Sequence, residues 1–413
     1  MKLSQILYKQ HLGRLTRKLW YIQGKRTPVD LQTEAILSAK GITVEDPNEI
    51  LKSKHKKLNL KQLNSFSKPL QTNDETHPDW KDRPCLTYSD NDLLIEGLPQ
   101  AQNITKTIVF ENVWPDAVEK ATKDVSDNIH EIVKRSIQTS VIFDAHQELL
   151  PKVKDPVRYW WNFPRAMGIT DVRKISNLSK KLLHLCHCIS GSEIANSRSI
   201  IDNALIQVPF EKEFDLYKFC LTMDVTLMSE QPLRPAGLDS VENDENVELP
   251  CIHPIHYSAG LTQQNIYKFD NVFPLVSDYH KKNIHTVFIF NDPTKVKNLT
   301  EIEVQETQIL GRALIKAFTA AAGSARQKFG TNIKDLPEPI TIQCIHLDGK
   351  GFYFSVYQLN TLNLEGESGM KNYSWVLPKI NLYETGGYVD GKPVLEGYNP
   401  EVFKRILAFY SNN

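Results

Sequence analysis

The sequence predicts an α+β fold, with mixed helices and a mostly antiparallel sheet behind an extended basic amino-terminal segment. Three observations predict it. Apolar residues recur with helical spacing in several separated stretches. Strand-like alternation recurs between them. The two kinds of segment follow one another without a regular βαβ rhythm and without an internal repeat. With 413 residues, 41% hydrophobic and 24% charged, the chain can bury a sizeable core. No apolar run approaches the ~18 residues that a membrane span requires.

The amino terminus is read first. Residues 1–29 contain Lys2, Lys9, Arg14, Arg17, Lys18, Lys25 and Arg26 and no acid; Asp30 is the first. The formal net charge is zero, so the remainder holds 42 basic against 49 acidic residues. Leu12, Leu15, Leu19 and Ile22 share one helical face, opposite Arg14 and Arg17. An acid-free, basic, amphipathic start is the composition of a mitochondrial transit peptide; the alternative is an uncleaved basic arm. Residues 51–73 form a second acid-free stretch. Its Lys52, Lys54, Lys56, Lys57 and Lys61 are the candidate RNA contacts, neutralising phosphates without reading bases; a solvated linker is the other reading. The expected organisation is a presequence over 1–29, a basic extension over 30–84, and an α+β body over 85–413 with two lobes dividing near 200–235.

Within the body, helical spacing predicts helices over about 92–102, 116–138 and 171–189. The run Arg158-Tyr159-Trp160-Trp161-Asn162-Phe163-Pro164, within 151–165, reads as irregular and heavily packed. Strands are expected at about 204–209, 216–228 and 284–290, with an acidic surface loop over 236–250. Thr300-Glu301-Ile302-Glu303 matches a capping box that opens a helix closed by Gly330. Leu310, Ala313, Leu314, Ala317, Ala321 and Ala325 are its buried face, and Arg312, Lys316 and Thr319 its solvent face. A hairpin follows, Ile340–Leu347 and Gly351–Leu359 about Asp348-Gly349-Lys350. A terminal amphipathic helix presents Val402, Phe403, Ile406, Leu407 and Tyr410.

Motifs for chemistry are sparse. The chain has neither a phosphate-binding glycine loop nor a G-x-S-x-G elbow. Six scattered cysteines fit a reducing compartment. His184, Cys186, His187 and Cys188, and separately Cys251, His253 and His256, have metal-ligand side chains, but the first group sits in an apolar helix face and reads as core. Cys344, His346 and Asp348 alternate on one strand, where Asp348 is explained by the turn. Asp144, His146 and Glu148 read as a solvated edge. No catalytic, cofactor or metal residue is assigned. A matrix hydrolase or nuclease using His346 or Asp348, and a non-ribosomal protein-interaction module, are the alternatives to a structural role.

Specific strings point to that role. They are Gln358-Leu359-Asn360-Thr361, Gly369-Met370-Lys371-Asn372, Trp375, and Gly397-Tyr398-Asn399-Pro400-Glu401-Val402-Phe403 continuing to Leu407-Ala408-Phe409-Tyr410. Leu94-Ile95-Glu96-Gly97, Thr105-Lys106-Thr107 and Asn265-Ile266-Tyr267 lie upstream. Together they resemble the family of mitochondrial large-subunit ribosomal protein thirty-seven, over about 80–413. The resemblance implies a non-enzymatic component of the mitochondrial large ribosomal subunit, with large-subunit ribosomal proteins, a paralogue among them, and large-subunit rRNA as partners. It implies no cofactor. Physically, Asn360 and Asn372 suit bonds to their own loop backbone, Gly369 suits positive φ, and Trp375 can anchor the loop on the core.

Overall fold

A computed structural model describes residues 32–45, 74–122, 124–155, 157–158, 160–237, 247–276, 279–298 and 302–412. The region expected to be a presequence and Lys52, Lys54, Lys56, Lys57 and Lys61 lie outside the described residues. The chain divides into two units, Met1–Thr72 and Asn73–Asn413. In the first, helix α1 (Thr33–Ala39) buries no residue.

The second unit runs β1 (Trp80–Ser89), α2 (Leu98–Thr105), β2 (Thr107–Glu111), α3 (Asp116–Ala121), α4 (Asp127–Ile137), β3 (Glu148–Leu149), β4 (Met167–Gly168), α5 (Asp171–Ile189), α6 (Ser192–Ser197), β5 (Arg198–Lys212), β6 (Asp215–Ser229), β7 (Thr262–Ile266), β8 (Asn283–Phe290), α7 (Glu306–Phe329), β9 (Asp335–Leu347), β10 (Gly351–Thr361), β11 (Asn372–Val376), β12 (Ile380–Asn381), β13 (Thr385–Val389), β14 (Lys392–Glu396) and α8 (Pro400–Ser411). Among the described residues the main sheet has ten strands in the order β2-β11-β10-β9-β8-β6-β1-β7, with β5 on β6 and β12 on β10. Three of its pairings are parallel and the rest antiparallel, as the fold class requires.

β6 organises the sheet. β5 pairs along its whole length on one edge. The other edge is shared: β1 lies parallel to Leu216–Cys220 and β8 antiparallel to Val225–Ser229. The two strands therefore run head-on along one edge and stop at each other's tips. Helices α7 and α2 cover one face, in a core with Phe210, Phe219, Phe318 and Tyr357. Helices α4, α5 and α8 cover the other, with Phe288, Phe354, Phe403 and Phe409. Among the described residues no helix is long and apolar enough to cross a membrane.

The helix over 171–189, the β9–β10 hairpin and the terminal helix form where the patterns put them. Four expectations are corrected. The helix expected at 92–102 is α2, starting at Leu98, because Gly97 at φ 66 and Pro99 at the first turn set its beginning. The helix expected over 116–138 is two, α3 and α4, parted at an extended Thr122 and Ser126. Helix α7 starts at Glu306, not Thr300. Gln305 and Gln308 form the reciprocal cap, with a Gln at each end in place of the Thr and Glu, and residues 302–305 are not helical. Finally, Arg312, Lys316 and Thr319 do not face water; all three are buried, because α7 lies between the sheet and α2 and its cations enter the gap where β1 and β8 meet.

Candidate functional site

Cys344 and His346 are both buried on β9. Burial pushes the Cys344 thiol up to about 12 and, with Arg312 nearby, holds His346 down to about 3, so both stay neutral near pH 7. Neither nitrogen of His346 has a hydrogen-bond partner. Asp348 turns the hairpin: its Oδ1 accepts from the Lys350 and Gly351 amides, and its Oδ2 pairs with Lys379 at 2.9 Å. In α5, Cys186 is buried and His187 bonds the Tyr410 hydroxyl at 3.0 Å, while Cys188 faces His184 at 3.9 Å. Cys251, His253 and His256 are exposed. His146 pairs with Glu148 at 2.9 Å, whereas Asp144 is held by Arg173 and Asn177. Among the described residues no three His, Cys, Asp or Glu side chains gather as a metal ion requires.

At the junction of β1 and β8 lies a polar centre that periodicity alone did not suggest. Lys316 Nζ donates to the Thr222 carbonyl at 2.6 Å and sits 3.1 Å from Asp90 and 3.7 Å from Asp224. Arg312 donates to the Asp90 and Phe290 carbonyls. Both Asp90 carboxylate oxygens accept the Thr222 amide, and Asp224 accepts the Phe290 amide. The side chains thus satisfy ladder groups where two strands end. Burial lowers the Lys316 pKa and neighbouring Arg312 adds to that, against the pull of the two aspartates. The missed signal was Asp90, just past the end of one strand, and Asp224, an acid inside an otherwise apolar one.

Three of the strings quoted for the resemblance, at 105–107, 358–361 and 369–375, meet in space. Asn372 Oδ1 accepts the Asn360 and Thr361 amides at 2.8 and 3.0 Å, and its Nδ2 donates to the Thr105 carbonyl at 3.0 Å. Asn360 donates to the Lys371 carbonyl, and Gln358 accepts the Ala236 and Gly237 amides. Buried Lys106 donates to the Glu365 and Ser368 carbonyls at 2.9 and 2.6 Å, drawing the 362–370 loop onto the sheet. Gly369 has φ 86, and Trp375 is buried and stacked on Phe110. Gly97 meets Gly311 of α7 so closely that a Cβ on Gly311 would lie 2.5 Å from the Gly97 backbone. Asn399 caps α8, and Tyr398 bonds His130. These residues lock elements far apart in sequence.

Two hairpins stand apart in character: one leaves the body and one closes against it. The first is a finger carried by β3 and β4 and prolonged by the Lys154–Asn162 bridge and the Phe163-to-Val153 backbone bond. Its odd-numbered face carries Leu149, Val153, Trp161, Phe163 and Met167, all exposed, and Trp160 near the tip is 70% exposed. The expectation of heavy packing at 151–165 is therefore overturned: pairing into a ribbon turns the aromatic face outward, away from both cores. Lys152 and Lys154 line the even face, and Arg158 stacks on Trp161 while pairing with Asp155. The second hairpin is the β5–β6 tip, whose two turn residues are Glu213 and Phe214.

Comparison with known proteins adds the following. The family model described as "Mitochondrial 28S ribosomal protein S30 (PDCD9)" matches residues 280–413. The chain is 26% identical over 346 residues to "Large ribosomal subunit protein mL37" of Bos taurus, covering 81% of this chain and 77% of that protein. It is 27% identical over 346 residues to the protein of that name from Gallus gallus, with 81% and 76% covered. The Rattus norvegicus protein of the same name is 26% identical over 344 residues. The resemblance read from the carboxy-terminal strings is thus present across most of the body.

Proposed function

We propose that the chain is a structural component of the mitochondrial large ribosomal subunit, holding neighbouring ribosomal proteins and rRNA and carrying out no reaction of its own. One observation carries this: similarity over 81% of the chain to large-subunit proteins. The matching family description names a small-subunit protein, but it covers only 280–413, so the longer match decides the subunit. Lys106, Asn360, Asn372 and Trp375 among the residues that carry the resemblance support the reading, because each closes a loop or anchors the core. The mitochondrion is its location. A paralogue in the same subunit is its expected neighbour. Residues 1–29 act as the presequence and 30–84 as a basic extension, in which Lys52, Lys54, Lys56, Lys57 and Lys61 meet phosphates.

Gradient sedimentation of the tagged full chain from mitochondrial lysate tests this. Co-migration with the large subunit at low salt is expected, and recovery only as a free chain overturns it. Replacing the five lysines with alanine should flatten the dependence of log affinity on log salt by about 0.9 or less per phosphate contact removed. An unchanged slope removes those lysines from the interface.

A further inference from the structure

The β5–β6 tip has an unusual backbone. Lys212 pairs with Asp215, so Glu213 and Phe214 form a two-residue turn with φ 50 and 68. Turns with two positive φ values favour Asn-Gly, and a bulky aromatic there is strained. Phe214 is also 90% exposed, so burial within the chain does not offset the strain. The tip is nonetheless held firmly. Tyr257 donates to the Glu213 carboxylate at 2.7 Å, the Glu213 amide donates to Glu365, and Arg83 donates to the Phe214 carbonyl. Beside it runs a groove of about 1110 Å³, with Phe210, Phe214, Phe269, Ile333, Leu362 and Leu364 in its lining.

The charges around the groove name the occupant's chemistry. Glu213, Asp215, Asp270, Glu365 and Glu367 are exposed around the tip. The cations are largely engaged: Arg83 pairs with Glu211, Lys212 is buried on the Asn103 carbonyl, and Arg326 donates to Asn271 and the Pro209 carbonyl. Lys334 is an exposed cation in the lining. Such a rim repels phosphates and attracts lysine and arginine.

We infer that the Phe214 tip and its groove are a docking site for an extended, Lys/Arg-bearing protein segment that places an apolar side chain against Phe214. The proposed ribosomal role supplies the source of that segment, and the inference rests on it only for that.

The test replaces Phe214 of the full chain with the photoreactive analogue p-benzoyl-phenylalanine, irradiates assembled mitochondria, and sequences the cross-linked material. Adducts on peptides of net positive charge are expected. Their yield should fall about tenfold in a Glu365→Lys/Glu367→Lys variant, as reversing two rim charges implies. Adducts on nucleotides, adducts on acidic or neutral peptides, no protein adduct, or an unchanged yield after charge reversal each overturn the inference. Phe214→Asn separates docking from folding: it should raise the melting temperature while displacing the segment cross-linked from Phe269 replaced by the same analogue. Cross-links to a basic peptide from chain sedimenting apart from the large subunit would sink the ribosomal reading and leave the docking site standing.

Discussion

Around Asn372, polar side chains are buried and every one named above has a backbone partner; on the 148–168 finger, apolar side chains stand in water along a backbone that pairs with itself and with Asp155 and Arg165. Both regions are hydrogen-bonded, so bonding does not distinguish them. The difference is where the desolvation cost falls. In the lock, removing a partner strands a buried amide or carbonyl, which costs about 1–3 kcal/mol. In the finger, removing one of those apolar side chains strands nothing. Changes inside should therefore read out as stability, and changes to the exposed apolar side chains of the finger should leave stability almost untouched.

Acid should expose the interior most strongly. His285 and His346 are both buried and held neutral, each with a pKa lowered by burial to about 3. In the unfolded chain they titrate near 6.5, so that state binds more protons between the two values. Full stability is present above about pH 6.5 and is lost as pH falls towards 3. At pH 4 the loss is on the order of 3 kcal/mol for each histidine, read from urea unfolding at a series of pH values. A flat profile between pH 7 and 4 would show that the two rings are reached by water.

Next comes Lys316→Ala, which leaves the Thr222 carbonyl and two aspartates without their cation. The aspartates are partly exposed, so the cost sits at the lower end of that for a broken buried pair, about 3 kcal/mol. Lys316→Met keeps the volume but not the charge, so it should recover only the packing part of the loss; stability equal to that of the unaltered chain would mean that charge is not what the centre requires. Smallest is Val157→Ser on the finger, where Val157 is 83% exposed. Thermal unfolding should move by less than about 0.5 kcal/mol. A loss above about 1 kcal/mol would mean that the finger packs against another part of the chain, and the contrast with the lock would fail.

How much of this was legible depended on range. The Asp348 hairpin, α5 and α8 declare themselves because turn residues and periodicity act within a few positions. Asn360, Asn372 and Gly369 were legible as loop-makers for the same reason, since small polar side chains and glycine suit specific backbone angles. What the pattern misassigned were Arg312 and Lys316. A charged residue at helical spacing reads as solvent-facing unless its counter-charges are known, and those are supplied by Asp90 and Asp224, more than 80 residues away in sequence. The finger failed in the opposite sense. Two tryptophans and a phenylalanine within four positions look like core, yet ribbon pairing points them outward. The start of α7 was misplaced because paired glutamines did the capping that Thr and Glu usually do.

The last helix has a consequence for how the molecule can be made. Val402, Phe403, Ile406 and Phe409 of α8 complete the second core, and the Asn412 carbonyl accepts from His285 and Arg198. A chain threaded through a channel with its amino end leading delivers this helix after everything it must cover. Until then the aromatic floor formed by Phe288, Phe354 and Trp375 is open, and the molecule is a sticky half-product. Closure is thus a late, non-local event, and whatever shelters that floor during delivery decides how much of the protein reaches its native state.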